Sequence, residues 1–324
     1  MKTGSEAGIQ TVLGRISPGA LGITDAHTHV FRDGGPIADA DPDFLLDSPE
    51  RAAEELSAFR AAGGGALVDM MPTAPGRDAS RLAEVSRRTG VHIVAATGFV
   101  PWALYPGSAA WRLTAEELAD SLAAEVLEGI DAGNGAGGEV RRLEARAGVI
   151  KVAVGSRTPT EPEMRFEQAA ARAHRLTGAS VSVHTERGAG AEALLERMSA
   201  WGVPPTAILI AHTSQSGDLA LLLRIAAAGA WLIMDGAGKP KYSEDELIRQ
   251  LHGLAEAGFA GRVLLALDFS RRSYWKSCGG RPGFEYLARE FAARLAGSGL
   301  PAATVREMLA GNAARAFTMR HYGP

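Results

Sequence analysis

The stretch Ala207-Ile-Leu-Ile-Ala211, which His212 follows at once, gives the first indication of the fold. All five of its residues are apolar, and a second run of this kind, Val263-Leu-Leu-Ala-Leu267, precedes Asp268. Continuous apolar runs of this length are typical of strands that are buried on both faces of a parallel sheet. The two runs therefore predict central parallel strands, each with a polar residue at its carboxyl end.

Short apolar runs alternate with helical patterns along the whole chain. Eight strands are predicted, at Leu21–Ala26, Gly65–Met70, His92–Thr97, Val149–Ala153, Ser180–Val183, Ala207–Ala211, Ala230–Met234 and Arg262–Leu267. Helix starts are predicted at Ser48-Pro49 and at the capping boxes Thr114-x-x-Glu117, Thr160-x-x-Glu163 and Ser243-x-x-Glu246. This alternation favours an α/β fold, a single-domain (β/α)8 TIM barrel over residues 1–324, with an open doubly wound sheet as the alternative.

The composition of the 324 residues excludes several classes of protein. A hydrophobic fraction of 46% is ordinary for a globular chain, and a net charge of −3 argues against a nucleic-acid partner. There is no apolar run of about 18 residues that would span a membrane, and Met1–Arg15 lacks the apolar core of a signal peptide. The single cysteine, Cys278, fits a reducing compartment, so we expect a cytoplasmic enzyme or small-molecule binder.

Residues that bind metal ions recur at the carboxyl ends of the predicted strands. His27 and His29 form an H-x-H pair after the first strand, and extended backbone directs both imidazoles to one side, where they can bind one ion. The other members, on or after strands four, five, six and eight, are Lys151, His184, His212 and Asp268. Each alone has an ordinary structural explanation, but the carboxyl ends of barrel strands meet at one mouth. Their coincidence there predicts a metal site.

With these residues, the sequence resembles the amidohydrolase superfamily and, within it, the phosphotriesterase family. The resemblance runs from about Gln10 to Phe317. It rests on the segments 76–86 (GRDASRLAEVS), 92–98 (HIVAATG), 147–153 (AGVIKVA) and 311–317 (GNAARAF). The segments 238–242 (GKPKY) and 267–274 (LDFSRRSY) are similar to the phosphotriesterase-homology and phosphorylated-sugar-lactonase branches, and N-acyl amino-sulfonate amidases share similar segments.

The resemblance implies a site for two divalent metal ions, with zinc expected first and manganese or cobalt as alternatives. His27, His29 and Asp268 would hold the more buried ion, and His184 and His212 the more exposed one. Lys151 would bridge the two ions as a carbamate formed with carbon dioxide, because a closed site between cations favours its free amine. Two such ions would share a hydroxide by lowering the pKa of water from about 15.7 to about 7. Asp268 would accept the proton of that hydroxide as it attacks the substrate.

Two segments depart from the organophosphate-hydrolysing members of the family. His212 is followed by Thr213-Ser-Gln215, where those members carry acidic residues of a proton relay. The segment Asp235-Gly-Ala-Gly-Lys239 stands after strand seven, where those members place His or Arg in the pocket. Both changes disfavour a dedicated phosphotriesterase.

The loops after strands seven and eight carry positive charge instead. Their cations, with two tyrosines beside them, are Lys239, Lys241, Arg271, Arg272, Lys276, Tyr242 and Tyr274. In a chain of net charge −3, this concentration predicts recognition of an anionic group, with solvated loop charges as the structural alternative. We expect Lys239, Arg271 and Tyr274 to anchor that group. Trp102 and Tyr105, in the loop after strand three, would form the apolar wall of the pocket, with a structural role as the alternative.

These patterns predict a hydrolase that opens a small anionic lactone, such as a phosphorylated sugar lactone. The alternatives are an N-acyl amidase acting on an acylated amino acid or amino sulfonate, and phosphotriesterase activity, because the same metals and hydroxide would serve all three. A Schiff-base aldolase using Lys151, or a non-catalytic binder, would leave the four strand-end histidines unexplained. The resemblance also fits a homodimer.

Overall fold

Eight parallel strands in chain order form the barrel that the sequence predicts. The computed structural model describes residues 7–72, 76–99, 109–133, 139–154 and 158–320. An antiparallel hairpin, β1 (Ile9–Thr11) and β2 (Gly14–Ile16), precedes the barrel. The barrel strands are β3 (Ile23–Thr28), β4 (Gly64–Asp69), β5 (His92–Gly98), β6 (Ala147–Val154), β7 (Ser180–Thr185), β8 (Ile208–Ala211), β9 (Trp231–Met234) and β10 (Val263–Leu265). The prediction of a (β/α)8 barrel is confirmed, and the open sheet is excluded.

Hydrogen bonds between the first and last barrel strands close the sheet. The backbone N–H of Asp268 donates to the carbonyl of His27 at 2.8 Å, and the N–H of His29 donates to the carbonyl of Phe269 at 3.2 Å. Closure therefore places three of the predicted metal ligands side by side, although 239 or more residues separate Asp268 from the two histidines in sequence.

Helices cover the outside of the barrel. In the part of the chain that the structure describes they are α1 (Pro36–Ala40), α2 (Pro49–Ala61), α3 (Ala79–Thr89), α4 (Ala115–Leu127), α5 (Glu161–Thr177), α6 (Ala191–Ala200), α7 (Leu219–Ala227), α8 (Glu244–Glu256), α9 (Ala292–Gly297), α10 (Ala302–Arg306) and α11 (Asn312–Ala316). Two π-helical turns, at Leu287–Phe291 and Glu307–Gly311, lie before α9 and α11. None of the described helices combines the length and the apolar character that crossing a membrane requires.

The predicted helix starts are largely confirmed. The side chain of Ser48 caps α2, and the capping boxes at Thr114 and Thr160 are complete. The third box is only half formed, because the Ser243 side chain accepts a bond from the Glu246 backbone without a bond in return. The Glu246 carboxylate instead accepts bonds from Arg249 and Gln250, so this part of the prediction is wrong.

Alternation along β6 and β7 turns the site residues toward the barrel interior. Ile150 and Val152 of β6, and Val181 and Val183 of β7, lie in the core between the strands and the helices. Successive strand side chains point to opposite faces, so Lys151 and His184 face inward. This alternation explains how residues on an otherwise apolar sheet reach a common centre.

The ends of three strands differ by two residues from their predicted positions, and one of these strands, β7, continues to Thr185, so His184 lies within it. The first barrel strand continues to Thr28, two residues beyond the predicted end, so His27 lies within it. The last strand stops at Leu265 instead of Leu267, and Asp268 follows with a φ of 50°, in the left-handed region. His212, after β8, has a φ of 64°. Positive φ at residues other than glycine costs about 1–3 kcal/mol and concentrates at functional sites.

Candidate metal centre

The four strand-end histidines and Asp268 meet at the barrel mouth, as predicted. The ring centroid of His27 lies 5.6 Å from that of His29 and 5.1 Å from that of His212. The ring centroids of His184 and His212 are 4.6 Å apart. The Nε2 atoms of His27 and His29 lie 3.7 and 3.5 Å from Oδ1 of Asp268. Residues from β3, β7, β8 and β10 thus form one group.

His27, His29 and Asp268 form the inner part of this group. Their ligand atoms lie within 4.8 Å of one another. Burial lowers the pKa of His29 to about 3 and that of His27 well below its usual value, and the positive charge of Lys151 acts in the same direction. The Nδ1 atoms of both rings have no hydrogen-bond partner among the described residues. Two neutral imidazoles and a carboxylate with converging atoms are a donor set that suits a divalent ion such as zinc.

Asp268 also contacts Lys239, which we predict from the sequence to bind the anionic group of the substrate. The Lys239 Nζ lies 2.5 Å from Asp268 Oδ2, and Lys239 is only 7% exposed. Burial favours the neutral carboxyl, but Lys239 and the neighbouring histidines outweigh it and hold the pKa of Asp268 well below its usual value. Asp268 is therefore a carboxylate that faces two imidazoles with one oxygen and an ammonium with the other.

The buried carboxyl group of Asp25 lies at the joint between β3 and β10. One oxygen of Asp25 accepts hydrogen bonds from the backbone N–H of His27 at 3.3 Å and of Leu267 at 3.0 Å. Burial raises the pKa of Asp25 to about 8. These bonds fix the backbone on both sides of the inner group, and the other oxygen of Asp25, Oδ2, is buried without a hydrogen-bond partner among the described residues.

Lys151 is buried beside the inner group. Its Nζ donates to the carbonyl of Met70 at 2.9 Å. Burial lowers the pKa of Lys151 to about 8, with the negative charge of Asp268 acting in the opposite direction. A lowered pKa increases the share of free amine near neutral pH, and the free amine is the form that can react with carbon dioxide.

The outer pair of histidines differs in which ring nitrogen has a carboxylate partner. Nδ1 of His212 lies 2.7 Å from Oδ2 of the buried Asp235, whereas Nε2 of His184 lies 3.2 Å from Oε1 of the exposed Glu186. Burial lowers the pKa of His212, but Asp235 outweighs this effect and raises it. Since a ligand histidine uses its other nitrogen for such a partner, Nε2 of His212 and Nδ1 of His184 are left for a metal ion.

Asp235 is a functional candidate that the sequence reading missed. It also accepts hydrogen bonds from the Ser214 hydroxyl at 3.0 Å and the Gln215 amide at 2.9 Å, and Tyr242 donates to Gln215 at 2.9 Å. His212, Asp235 and Asp268 form a second group of converging metal-binding atoms. The sequence contained a signal, because Asp235 directly follows the apolar run that ends at Met234, as Asp268 directly follows the run that ends at Leu267. Ser214 and Gln215, which stand where the organophosphate-hydrolysing members carry acidic residues, thus donate hydrogen bonds to the Asp235 carboxylate of the neighbouring loop.

The predicted cationic mouth is largely paired with carboxylates. Nη1 of Arg271 donates to Asp41 at 2.7 Å, and Lys276 donates to Glu285 at 2.6 Å. With Lys239 on Asp268, three of the five cations have an acidic partner. These pairs leave anion recognition by the mouth loops a prediction, and they add contacts that the sequence does not show, because a sequence gives the charges of neighbouring loops without their pairing.

The remaining predicted pocket residues take varied positions. Lys241 is exposed, with its ammonium 5.6 Å from the Tyr242 ring centroid. Arg272 and Tyr274 are half-buried in a 3-10 turn, and the Tyr274 ring stacks on Phe269 at 5.0 Å. Trp102 and Tyr105 lie outside the described residues, so their role as an apolar wall stays a prediction.

Comparison with known proteins agrees with this architecture. The model of the Phosphotriesterase family matches residues 7–317. A phospho-furanose lactonase of Mycoplasmopsis synoviae is 30% identical, over 97% of this chain and 94% of its own length. A lactonase from Listeria monocytogenes has a similar structure, with a TM-score of 0.87 and 28% identity over 97% and 99% of the two chains. The phosphotriesterase homology protein of Escherichia coli, solved with phosphate in its active site, gives a TM-score of 0.84 and 29% identity over 92% and 99%. The chain belongs to the phosphotriesterase family.

Proposed function

We propose that this protein is a metal-dependent hydrolase that opens a small anionic lactone, such as a phosphorylated furanose lactone. The observation that carries the proposal is the convergence of His27, His29 and Asp268, with the histidines neutral and the carboxylate ionised. Membership of the phosphotriesterase family supports the hydrolase class. The lactonases of Mycoplasmopsis synoviae and Listeria monocytogenes support the substrate class.

The residues at the strand ends fit two divalent ions. His27, His29 and Asp268 would hold the inner ion, and His184 and His212 the outer one, with zinc the first expectation. Lys151, as a carbamate, would lie between them, supported by its burial and lowered pKa. When bound there, such ions activate water for attack near neutral pH and polarise the acyl oxygen of the substrate.

Asp268 is suited to accept the proton of the attacking water. Its low pKa keeps it ionised at neutral pH, and Lys239 stabilises that charge. Water adds to the acyl carbon, the ring C–O bond breaks, and the leaving alkoxide receives the proton, which yields a hydroxy acid. Carboxylates that act as general bases contribute about 10²–10⁴-fold to such reactions.

The anionic group of the substrate is assigned to the loops after β9 and β10. Lys239 Nζ lies 5.8 Å from the Tyr274 ring centroid and contacts Asp268, so a point charge lies beside the ring of a residue that also carries a neutral hydroxyl donor. Arg271 lies in the same loop as Tyr274 and offers a planar fork. This mixture of donors suits a phosphate, carboxylate or sulfonate group.

A hydrolysis screen of the metal-loaded protein tests the proposal. The panel pairs phosphorylated and unphosphorylated furanose lactones and adds N-acyl amino acids, N-acyl amino sulfonates and an activated phosphotriester. We expect the phosphorylated lactone to have the highest kcat/KM, with activity lost after chelation and restored by divalent ions. A preference for an N-acyl substrate, or turnover that persists without metal, would contradict the proposal.

A further inference from the structure

The Asp43 carboxylate, in the loop after β3, forms hydrogen bonds to the loop after β10. Asp43 accepts hydrogen bonds from the Ser273 backbone N–H at 2.8 Å, from the Ser273 hydroxyl at 2.7 Å and from Arg271 Nη1 at 3.4 Å. Asp41 accepts one shorter bond from the same Nη1, at 2.7 Å, and its side chain accepts from the Asp43 backbone. Asp43 is thus the residue that contacts both the arginine and the turn that follows it.

The Phe44 ring packs against the same guanidinium. The Arg271 Cζ lies 3.8 Å from the centroid of the Phe44 ring, which is van der Waals contact of two flat groups. Within the described residues, only Nη1 of Arg271 donates to a protein acceptor. Nε and Nη2, which together form one edge of the fork, have no protein acceptor there. With Nη1 bound to carboxylates and one face of the guanidinium against Phe44, the Nε–H and Nη2–H groups can donate to two oxygens of a phosphate.

The hydrogen bonds between Asp43 and Ser273 also hold residues that lie closer to the metal centre. Ser273 lies within the 3-10 turn Arg272–Tyr274, so the two bonds to Asp43 hold the turn that carries Tyr274. Tyr274 stacks on Phe269 and lies beside Lys239, which contacts Asp268. One carboxylate in the first mouth loop therefore supports the arginine and the tyrosine that the proposed function assigns to the anionic group.

We propose that Asp43, with Asp41 and Phe44, is a positioning residue for recognition of a phosphate group, and so determines the preference for phosphorylated over neutral substrates. The inference rests on the proposed function for the place where the anion binds. Asp43 acts through Arg271 and the Ser273 turn, and none of its hydrogen bonds among the described residues reaches a proposed metal ligand. Its removal should raise KM for the charged substrate and have little effect on kcat.

The test combines Asp43→Asn with a charged and neutral pair of ligands. Asparagine keeps an oxygen for the Ser273 backbone N–H but cannot accept from Arg271 and the Ser273 hydroxyl with its amide nitrogen. We expect kcat/KM for a phosphorylated furanose lactone, relative to its unphosphorylated form, to fall about three- to tenfold. This is less than the roughly ten- to hundredfold expected for losing a charge-assisted contact itself. Calorimetry of the metal-loaded protein with ribose 5-phosphate, against ribose, should show the same weakening.

Two controls separate positioning from general damage. Asp39→Asn makes the same charge change on α1, four residues away, at an exposed carboxylate, and should leave both ratios unchanged. In an Arg271→Ala background, Asp43→Asn should have less effect on the charged ligand, because a positioning residue needs the group that it positions.

Three results would overturn the inference. The first is an unchanged charged-to-neutral ratio in Asp43→Asn. The second is tighter binding of ribose 5-phosphate, which would show that the carboxylates weaken Arg271. The third is an equal loss with and without Arg271. If no lactone is opened by the parent protein, the proposed function fails, whereas the ribose 5-phosphate measurements still decide the role of Asp43.

Discussion

The strand ends and the mouth loops hold their polar residues in different ways. His27 and Asp268 are joined by a backbone hydrogen bond across the barrel closure, and His27 is buried. Arg271 and Lys276 are positioned by side-chain contacts to carboxylates of partly exposed loops. The comparison indicates that the chemistry depends on the rigid barrel, whereas substrate preference depends on contacts between loops, which can change without loss of the fold.

Lys151→Ala should have the largest effect, because the proposed bridging group supports both ions. Loss of bound metal removes several kcal/mol of transition-state stabilisation, so activity should fall by about 10³-fold or more. Elemental analysis and kcat/KM measured on the same preparation check this. Short carboxylic acids should restore part of both values by taking the place of the carbamate. A variant that retains two ions and full activity would show that Lys151 does not bridge them.

Asp268→Asn should reduce kcat by about 10²–10⁴-fold while one oxygen remains for the metal. The amide cannot accept a proton, and it leaves Lys239 without its negative partner. The measurement is kcat together with metal content. Near-normal kcat with both ions present would mean that the proton goes to another group.

The difference between these regions also explains what the sequence could predict. The position of a polar residue at or just beyond the carboxyl end of a buried strand can be predicted, because every barrel strand ends at the same mouth. This rule identified His184, His212 and Asp268, and the same rule applied to β9 identifies Asp235. The helix caps were predictable for a similar reason, since the bonding residues lie three positions apart.

The contacts of the loops could not be predicted in the same way. Arg271 and Asp43 are 228 residues apart, and nothing in either segment indicates the other. Whether a loop cation is free or paired depends on side-chain contacts between loops of variable length, which sequence periodicity does not report. The sequence therefore shows which loops carry the positive charge, but not that Lys239, Arg271 and Lys276 have carboxylate partners.

Arg271→Ala should show whether Arg271 contacts the anionic group of the substrate or only joins two mouth loops through its bonds to Asp41 and Asp43. Loss of a charge-assisted contact should cost about 1.5–3 kcal/mol, or roughly ten- to a hundredfold in kcat/KM, for a phosphorylated substrate only. A matched neutral substrate should be little affected. Equal losses on both substrates would show that the bonds to Asp41 and Asp43, and not the ligand, are the function of Arg271.

Asp235→Asn and Glu186→Gln compare a buried and an exposed partner of the outer histidines. Removing a carboxylate that orients a ligand histidine typically costs about 10–100-fold in metal affinity, and we expect this for the buried Asp235. Glu186 is 66% exposed at its side chain, where water can replace it, so Glu186→Gln should change affinity by less than about tenfold. Competition with a chelator of known affinity measures both. A larger loss of metal affinity in Glu186→Gln than in Asp235→Asn would show that the exposed carboxylate is the more important partner of the outer histidines.

The central claim, that the strand ends form a metal-dependent hydrolytic centre, is tested most directly by metal content measured together with activity. Protein purified without chelator should contain about two divalent ions per chain, as a binuclear hydrolytic site requires. Chelation should remove ions and lactonase activity in parallel, and added zinc or manganese should restore both. Protein that contains no divalent ion and opens lactones at the same rate before and after chelation would contradict the account.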